Sequence, residues 1–229
     1  MSSQPTVASV VLAAGSGTRF GHDINKVWLP LNGRHIISRS LTNASASFKD
    51  ARVIVVINPD DEEFARKALD ADAMPASIEI VYGGASRHES EYNALQHLKP
   101  AILAGEIDIV LIHDGARPLA TPELFGAIAA GAAQHGGAIP TIALDPREMD
   151  TVRNETVARV QTPQGFRAQP LLEAYEKSIK EGFIGTDTSA CMEKYCPEVT
   201  ILAVPGDVFN FKITYPQDLT TAELLVPIQ

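Results

Sequence analysis

Short apolar runs alternate along the chain with segments whose apolar residues recur at helical spacing. The run from Val7 to Leu12 and the β-branched run at 51–57 predict buried strands. Between these runs, Ile36, Ile37 and Leu41 predict a helix that packs one face on a sheet. The chain therefore begins with a strand, a helix and a second strand.

The same alternation continues almost to the C-terminus. Further strands are predicted at 78–84, 107–114, 138–143 and 199–204, and further helices at 60–71, 87–98, 122–133 and 171–180, through Cys191 and after Pro216. Strands that alternate with helices are typical of an α/β fold with a mostly parallel sheet covered on both faces. We expect a doubly wound sheet in a single domain that spans residues 1–229.

One segment, 145–161, departs from this alternation. Its charged and apolar residues alternate without a helical stripe, which favours two short strands that form a protruding β-arm. Val152, Val157 and Val160 then need cover from outside their own domain. The pattern predicts that the arm packs against a second subunit.

Composition limits the possible partners. The chain has 229 residues, of which 45% are hydrophobic, and a net charge of −9. This charge disfavours a nucleic-acid partner or an anionic membrane surface. The sequence contains no apolar run long enough for a transmembrane helix and no secretory pattern at its N-terminus. Cys191 and Cys196 lack a second pair that would complete a metal site, so we expect reduced thiols in a cytoplasmic protein.

A glycine-rich turn follows the first strand in the stretch VVLAAGSGTRFG, residues 10–21. Residues without bulky side chains expose successive backbone N–H groups that bind phosphate oxygens, and Arg19 and Lys26 add two cations. A simple chain turn is the alternative. The Walker pattern fails because Lys26 precedes a valine, and the dinucleotide fingerprint fails because its third glycine is displaced by one residue. The residues predicted to bind phosphate oxygens are Ala13, Ala14, Gly15, Ser16 and Gly17.

Four motifs in order carry a resemblance to a known family. The loop matches the pattern L-A-A-G-x-G-x-R of nucleotidyltransferases that activate phosphorylated sugars and alcohols. HDGARP at 113–118, QTPQGF at 161–166 and NFKITYPQDL at 210–219 narrow the match. The chain resembles the 2-C-methyl-D-erythritol 4-phosphate cytidylyltransferase family over nearly its whole length. The resemblance implies a Rossmann-like nucleotidyltransferase fold, CMP transfer from CTP to a polyol phosphate, a divalent ion such as Mg²⁺, and a homodimer formed through the arm.

The resemblance also implies roles for individual residues. It assigns catalysis to Arg19, Lys26 and Lys212, although Lys26 lies between Asn25 and Val27 where the family usually has proline and glutamine. Lys212 is expected to point away from its apolar neighbours on an alternating strand. Cytosine recognition falls to Gly84, Ala85 and Ser90, and Arg87 either supports their loop or opens the next helix.

Two sets of ligands remain, for the metal and for the polyol phosphate. Asp114 is the expected metal ligand, with a cap or a pair with Arg117 as the alternative. Phe209 replaces an acid that the family often has, so Asp207 is either a displaced ligand or a turn-forming residue. The second substrate's phosphate is assigned to Arg117, Thr151 and Arg153, with Arg159 as a competing candidate. His113 receives no role beyond packing.

Three other functions remain open from the sequence. A ribitol 5-phosphate cytidylyltransferase would share every motif. The altered setting of Lys26 and the presence of Phe209 allow a non-catalytic nucleotide-binding regulator. An oxidoreductase with a dinucleotide fold is disfavoured by the glycine spacing and by the lack of an acid directly after the second strand, where Asn58 lies.

Overall fold

The computed structural model describes residues 5–15, 25–144 and 158–228. Its N-terminal half alternates strands and helices as predicted. A tight hairpin, turning at Asn32 and Gly33 with positive φ, precedes the first helix. The elements are β1 Val7–Leu12, β2 Pro30–Leu31, β3 Arg34–His35, α1 Ile36–Ala46, β4 Arg52–Ile57, α2 Glu62–Ala71, β5 Glu79–Tyr82, α3 Arg87–Leu103 and β6 Ile109–Asp114.

The C-terminal half adds helices to both faces and antiparallel strands to the sheet. Its elements are α4 Pro122–His135, β7 Gly136–Ala143, β8 Ala158–Val160, β9 Gln164–Arg167, α5 Ala168–Lys180, α6 Thr188–Tyr195, β10 Thr200–Pro205 and α7 Pro216–Leu225. All the predicted helices are present, and α3 runs past the predicted end at residue 98 because Pro100 is accommodated within it.

In the described part of the chain, the main sheet has eight strands in the order β10-β7-β9-β6-β1-β4-β5, with β8 paired to β7. The pairs β1·β4, β1·β6, β4·β5 and β7·β10 are parallel, and β9 is antiparallel to both of its neighbours. Helices α1, α2 and α4 pack on one face, and α3, α5 and α6 pack on the other. The mostly parallel, doubly wound sheet is confirmed.

Strand β9 was not predicted, although it lies in the middle of the sheet. Gly165 fits there because a Cβ would come within 2.7 Å of the Leu111 side chain and 2.8 Å of Ile128. Phe166 is fully buried beside it. Four residues with a glycine and a polar start give too little apolar pattern to identify such a strand.

The segment around Lys212 is not a strand, so that prediction was wrong. Residues 211–214 form neither helix nor strand. Buried Ile213 instead donates its N–H to the Ala116 carbonyl at 2.9 Å, which fastens the segment beside the end of β6.

Most of the predicted arm lies outside the described residues. Its last part, β8, pairs antiparallel with the end of β7, where Ala158 opposes Ala143 and Val160 opposes Thr141. Within the described ranges, no helix combines the length and the apolar character that crossing a bilayer requires.

Candidate active site

The carboxyl ends of β1, β4, β5 and β6 meet around a cavity of about 420 Å³. Open α/β sheets bind ligands at this edge, and the volume suits a small organic ligand. Most of the lining residues come from the segments that follow these strands: Ala13, Ala14, Gly15, Asn58, Gly84, Ala85, Ser86, Arg87, Ser90, Asp114 and Ala116, together with Asn25, Lys26 and Lys212.

The loop after β1 is fixed at its two described ends, one of which bonds the sheet while the other bonds the first. Ala13 donates its N–H to the Val56 carbonyl at 2.7 Å, and buried Asn25 donates from Nδ2 to the Ala13 carbonyl at 2.6 Å. Lys26 follows directly, is 9% exposed and lines the cavity. Ala13, Ala14, Gly15 and Lys26 are thus brought together, whereas Ser16, Gly17 and Arg19 lie outside the described residues.

The loop after β5 forms another wall of the cavity. Its backbone is held by side chains of α3, since the Gly84 N–H donates to Ser90 Oγ at 3.1 Å and the Ala85 N–H to Glu89 Oε2 at 2.7 Å. Ser86 caps α3 by accepting the Glu89 N–H. The three residues assigned to cytosine, Gly84, Ala85 and Ser90, therefore lie together at the cavity.

Asp114, at the end of β6, is contacted by three cationic side chains. Lys212 Nζ lies 3.0 Å from its Oδ2, Arg117 Nε lies 3.5 Å from the same oxygen, and Arg87 Nη1 contacts Oδ1. Burial raises the pKa of Asp114, but the opposing field of Arg87, Lys212 and Arg117 outweighs it and holds the pKa well below its usual range. The carboxylate is therefore ionised at neutral pH. Sequence reasoning anticipated the contact with Arg117 and missed the one with Arg87.

His113 has a role that the sequence did not reveal. Its Nε2 lies 3.1 Å from the Arg117 carbonyl, which can only accept, so Nε2 carries the proton and Nδ1 accepts from the Thr162 hydroxyl. Thr162 Oγ1 in turn accepts the Asp114 N–H at 3.0 Å. Burial lowers the pKa of His113 to about 4, which keeps the ring neutral. His113 therefore links two backbone groups of the HDGARP turn: it bonds the Arg117 carbonyl directly and the Asp114 N–H through the Thr162 hydroxyl.

The segment that carries Lys212 is tied to the same turn. Arg117 donates from Nη1 to the Asn210 carbonyl at 2.7 Å, and Asn210 donates from Nδ2 to the Thr162 carbonyl at 2.9 Å. Three of the sequence motifs, which lie far apart in the chain, thus meet at one point. Arg117 and Lys212 share Asp114, while Thr151 and Arg153 lie outside the described residues.

Asp207 does not lie in this cavity. Its Oδ1 accepts the Phe209 N–H at 2.8 Å, and the residue lines a separate cleft with Leu119 and Thr121. This geometry matches the turn-forming alternative. Within the described residues, no group of three or more His, Cys, Asp or Glu side chains could hold a metal ion. Asp114, an ionised carboxylate at the cavity, fits the kind of Mg²⁺ site in which one carboxylate and the phosphates of a nucleotide supply the ligands.

Comparison with known proteins agrees with the resemblance seen in the motifs. The family model for 2-C-methyl-D-erythritol 4-phosphate cytidylyltransferase matches residues 7–227. This chain belongs to that family. Enzymes of this name from Geobacillus kaustophilus and Cereibacter sphaeroides are each 35% identical to it, over 95% and 97% of this chain and 96% and 98% of theirs.

The fold comparison gives the same family. The solved structure of the 4-diphosphocytidyl-2C-methyl-D-erythritol synthase of Anaerococcus prevotii has a TM-score of 0.78 and 26% identity, covering 97% of this chain and 96% of that one. The 2-C-methyl-D-erythritol 4-phosphate cytidylyltransferase of Thermus thermophilus gives a TM-score of 0.70 with 27% identity, covering 94% and 96%. As a member of this cytidylyltransferase family, the chain is a nucleotidyltransferase and not an oxidoreductase.

Proposed function

We propose that this enzyme transfers CMP from CTP to 2-C-methyl-D-erythritol 4-phosphate, forming 4-diphosphocytidyl-2-C-methyl-D-erythritol and releasing pyrophosphate. The observation that carries this proposal is the convergence of Lys212, Arg117 and Arg87 on Asp114, beside a cavity that Lys26 and the loop after β1 also line. Such a site holds two polyanions close together and gives their charges fixed partners.

The reaction needs no activated side-chain nucleophile. A phosphate monoester with a second pKa of about 6 is mostly dianionic at neutral pH. Its oxygen attacks the α-phosphorus of CTP in line, a new P–O bond forms, and the bond to the pyrophosphate leaving group breaks. The protein contributes by positioning both substrates and stabilising charge on the transferring group.

The proposed roles combine the lining of the cavity with what the family resemblance implies, and the roles of Ser16, Gly17, Arg19, Thr151 and Arg153, which lie outside the described residues, rest on the sequence and its resemblance alone. The turn at 13–17 holds the triphosphate through the backbone N–H groups that follow Ala13, whose own N–H donates to the Val56 carbonyl. Gly84, Ala85 and Ser90 border the base. Arg19, Lys26 and Lys212 stabilise charge that develops at the α-phosphate. Arg117, Thr151 and Arg153 hold the phosphate of the second substrate. Mg²⁺ bound to Asp114 would neutralise phosphate charge when the nucleotide is present.

We also propose that the enzyme is a cytoplasmic homodimer. Both cysteines, Cys191 and Cys196, are buried as unpaired thiols, which suits a reducing compartment. Val160 on β8 is 38% exposed, and the polar-apolar alternation of 145–161 gives the arm an apolar side that a second subunit would cover.

The decisive experiment is a pyrophosphate-release assay with CTP and a panel of polyol phosphates. We expect Mg²⁺-dependent turnover with 2-C-methyl-D-erythritol 4-phosphate, and much slower turnover when ATP or GTP replaces CTP. Turnover with ribitol 5-phosphate alone would reassign the substrate. CTP binding without turnover of any polyol phosphate would support a regulator instead.

A further inference from the structure

Glu91 is a carboxylate buried directly behind the cavity. It lies on α3 one turn after Arg87 and is only 1% exposed. Its Oε1 accepts from Thr188 of α6 at 3.1 Å, and its Oε2 accepts from the hydroxyl of Tyr175 of α5. A buried carboxylate is costly unless it is paired and hydrogen-bonded. Burial raises the pKa of Glu91, and the charge of Arg87 together with the hydrogen bonds from Tyr175 and Thr188 opposes that rise and favours the carboxylate form.

Arg87 lies between two carboxylates. Its Nη1 contacts Asp114 in the cavity, and its Nε lies 2.9 Å from Glu91 Oε1 behind the cavity. The Nε approach lacks hydrogen-bond alignment, and Nε and Nη2 are buried without a hydrogen-bond partner. The guanidinium is therefore held mainly by the opposite charges on its two sides and by the packing around it.

We propose that Glu91 is a positioning residue for nucleotidyl transfer, which acts through Arg87 on Asp114. Glu91 offsets part of the Arg87 charge and draws the guanidinium toward α5 and α6. Asp114 consequently retains enough negative charge to bind the metal–nucleotide complex. This inference rests on the proposed function of the same cavity. It adds a residue outside the cavity that affects metal binding inside it.

Glu91→Gln tests the proposal, because it keeps the size of the side chain and removes its charge. The glutamine amide can accept from Thr188 and donate to the Tyr175 oxygen, so the fold is expected to persist. With its counter-charge gone, Arg87 competes more strongly for Asp114. We expect Mn²⁺ to bind the CTP complex about tenfold more weakly, as measured by electron paramagnetic resonance, and turnover to fall by a similar factor.

Two further variants separate positioning from general stability. Leu98→Ala, on the same helix, creates a core cavity and should lower the melting temperature while leaving Mn²⁺ affinity within about twofold of wild type. Tyr175→Phe removes one donor to Glu91 but keeps the carboxylate charge. It should weaken Mn²⁺ binding by less than about threefold, in the same direction as Glu91→Gln.

The deciding comparison repeats Glu91→Gln in an Arg87→Met background. If Glu91 acts through Arg87, its substitution there should change Mn²⁺ affinity by less than about twofold. An equal loss in both backgrounds would overturn the proposal, as would a Glu91→Gln protein with a lower melting temperature but unchanged Mn²⁺ affinity. These comparisons use CTP alone, so they do not depend on which polyol phosphate is the substrate. Wild-type turnover tests the proposed function separately.

Discussion

Lys212 Nζ lies 3.0 Å from Asp114 Oδ2, although Asp114 ends the central strand β6 and Lys212 comes shortly before the last helix, α7. The contact depends on a short stretch of irregular chain in which the buried side chain of Ile213 and its N–H bond to the Ala116 carbonyl fix the backbone next to Lys212. The Lys212 side chain is 37% exposed and lines the cavity, so it is accessible to a substrate phosphate. Asp114 thus holds in place the cation to which we assign a catalytic role.

Removal of either predicted catalytic lysine should slow turnover strongly. Lys26→Ala and Lys212→Ala should each lower the rate of pyrophosphate release by about 10²–10³, or roughly 2.7–4 kcal/mol of transition-state stabilisation, by analogy with loss of a preorganised donor. Lys67→Ala is the matched control, since Lys67 is 72% exposed on α2. If the two site variants changed the rate no more than this control, neither lysine would have a role in catalysis.

Asp114→Asn should reduce both stability and activity. The substitution leaves Arg87, Arg117 and Lys212 without their shared counter-charge, and breaking a buried ion pair in this way costs about 3–5 kcal/mol. Urea unfolding measures the stability, and Mn²⁺ binding to the CTP complex measures the loss of the proposed metal ligand. Exposed Asp60 provides a control, because Asp60→Asn removes a charge of the same kind far from buried partners. If the free energy of unfolding of Asp114→Asn equalled that of the wild type, the ion pairs of Asp114 with the three cations would not stabilise the fold.

We predict that nucleotide binding depends on glycine at position 83, because two walls of the cavity pack closely against it. A Cβ at this position would lie 2.5 Å from Ala14 Cβ and 2.7 Å from Ser90 Oγ, and both of these residues line the cavity. Gly83→Ala should therefore push the two cavity walls apart, destabilise the fold by about 1–3 kcal/mol and raise the dissociation constant of CTP. Calorimetric titration with CTP measures the effect.

Gly126 supplies the matched glycine for that experiment. It lies within α4, and a Cβ there would meet nothing within 4 Å. Gly126→Ala should stabilise the protein by about 0.5–1 kcal/mol and leave CTP affinity unchanged. Equal CTP affinities for the two variants would show that the contact between Ala14 and the end of β5 does not shape the site.

The sequence predicted the fold well wherever a strand is apolar on both faces. Central strands such as β1, β4 and β6 were identified almost to the residue, because burial on both sides leaves a continuous apolar run. Strand β9 has no such run. Gly165 is required there because Leu111 and Ile128 leave no room for a Cβ, and only the folded sheet brings these residues close. Local pattern also does not determine which strand lies beside which.

The site was predicted in part for a similar reason. Backbone loops and single charges leave a local signal, so Gly15, Lys26, Asp114 and Lys212 were found before their contacts were known. The contacts that these residues make were not predicted, because they depend on side chains that approach from separate helices. Glu91 is an example: nothing in its neighbourhood along the chain indicates Tyr175 or Thr188 as partners.

The predicted arm can be tested by kinetics, since Arg153 lies outside the described residues. Arg153→Ala should raise the KM for the polyol phosphate with little effect on the KM for CTP, because one charge-assisted contact to that phosphate is lost. Arg159→Ala is the comparison, since Arg159 is the competing candidate on β8. A larger effect at Arg159 would transfer the role to that residue.

Subunit mixing shows whether the arm completes a neighbouring site. If sites are shared across the interface, heterodimers of Arg153→Ala and Lys26→Ala subunits contain one intact site, and activity rises above that of either parent. Sedimentation measures whether the chain is a dimer at micromolar concentration. A monomer, or a mixture without recovery, would mean that the arm is an ordinary hairpin.

Acid sensitivity should depend in part on Glu79, at the edge of the sheet far from the cavity. Arg52 donates to both of its oxygens, from Nε at 2.5 Å and from Nη2 at 2.8 Å, and His97 Nε2 lies 2.7 Å from Oε2. The hydrogen bonds from Arg52, aided by His97 and opposed by burial, lower the pKa of Glu79 to about 2. Since the folded value is below that of the unfolded chain, the unfolded state binds more protons between about pH 4.5 and pH 2. The stabilisation from this carboxylate is therefore complete above that window and is lost as the pH falls through it.

Glu79→Gln should accordingly lower the free energy of unfolding at neutral pH and flatten its dependence on pH within that window. Urea unfolding at several pH values, expressed as the difference between wild type and variant, isolates this group from the other carboxylates. Glu198→Gln is the control, because it removes a carboxylate of the same kind at an exposed position. A constant difference between wild type and Glu79→Gln from pH 7 to pH 2 would show that Arg52 stabilises Glu79 no better in the folded protein than water does in the unfolded chain.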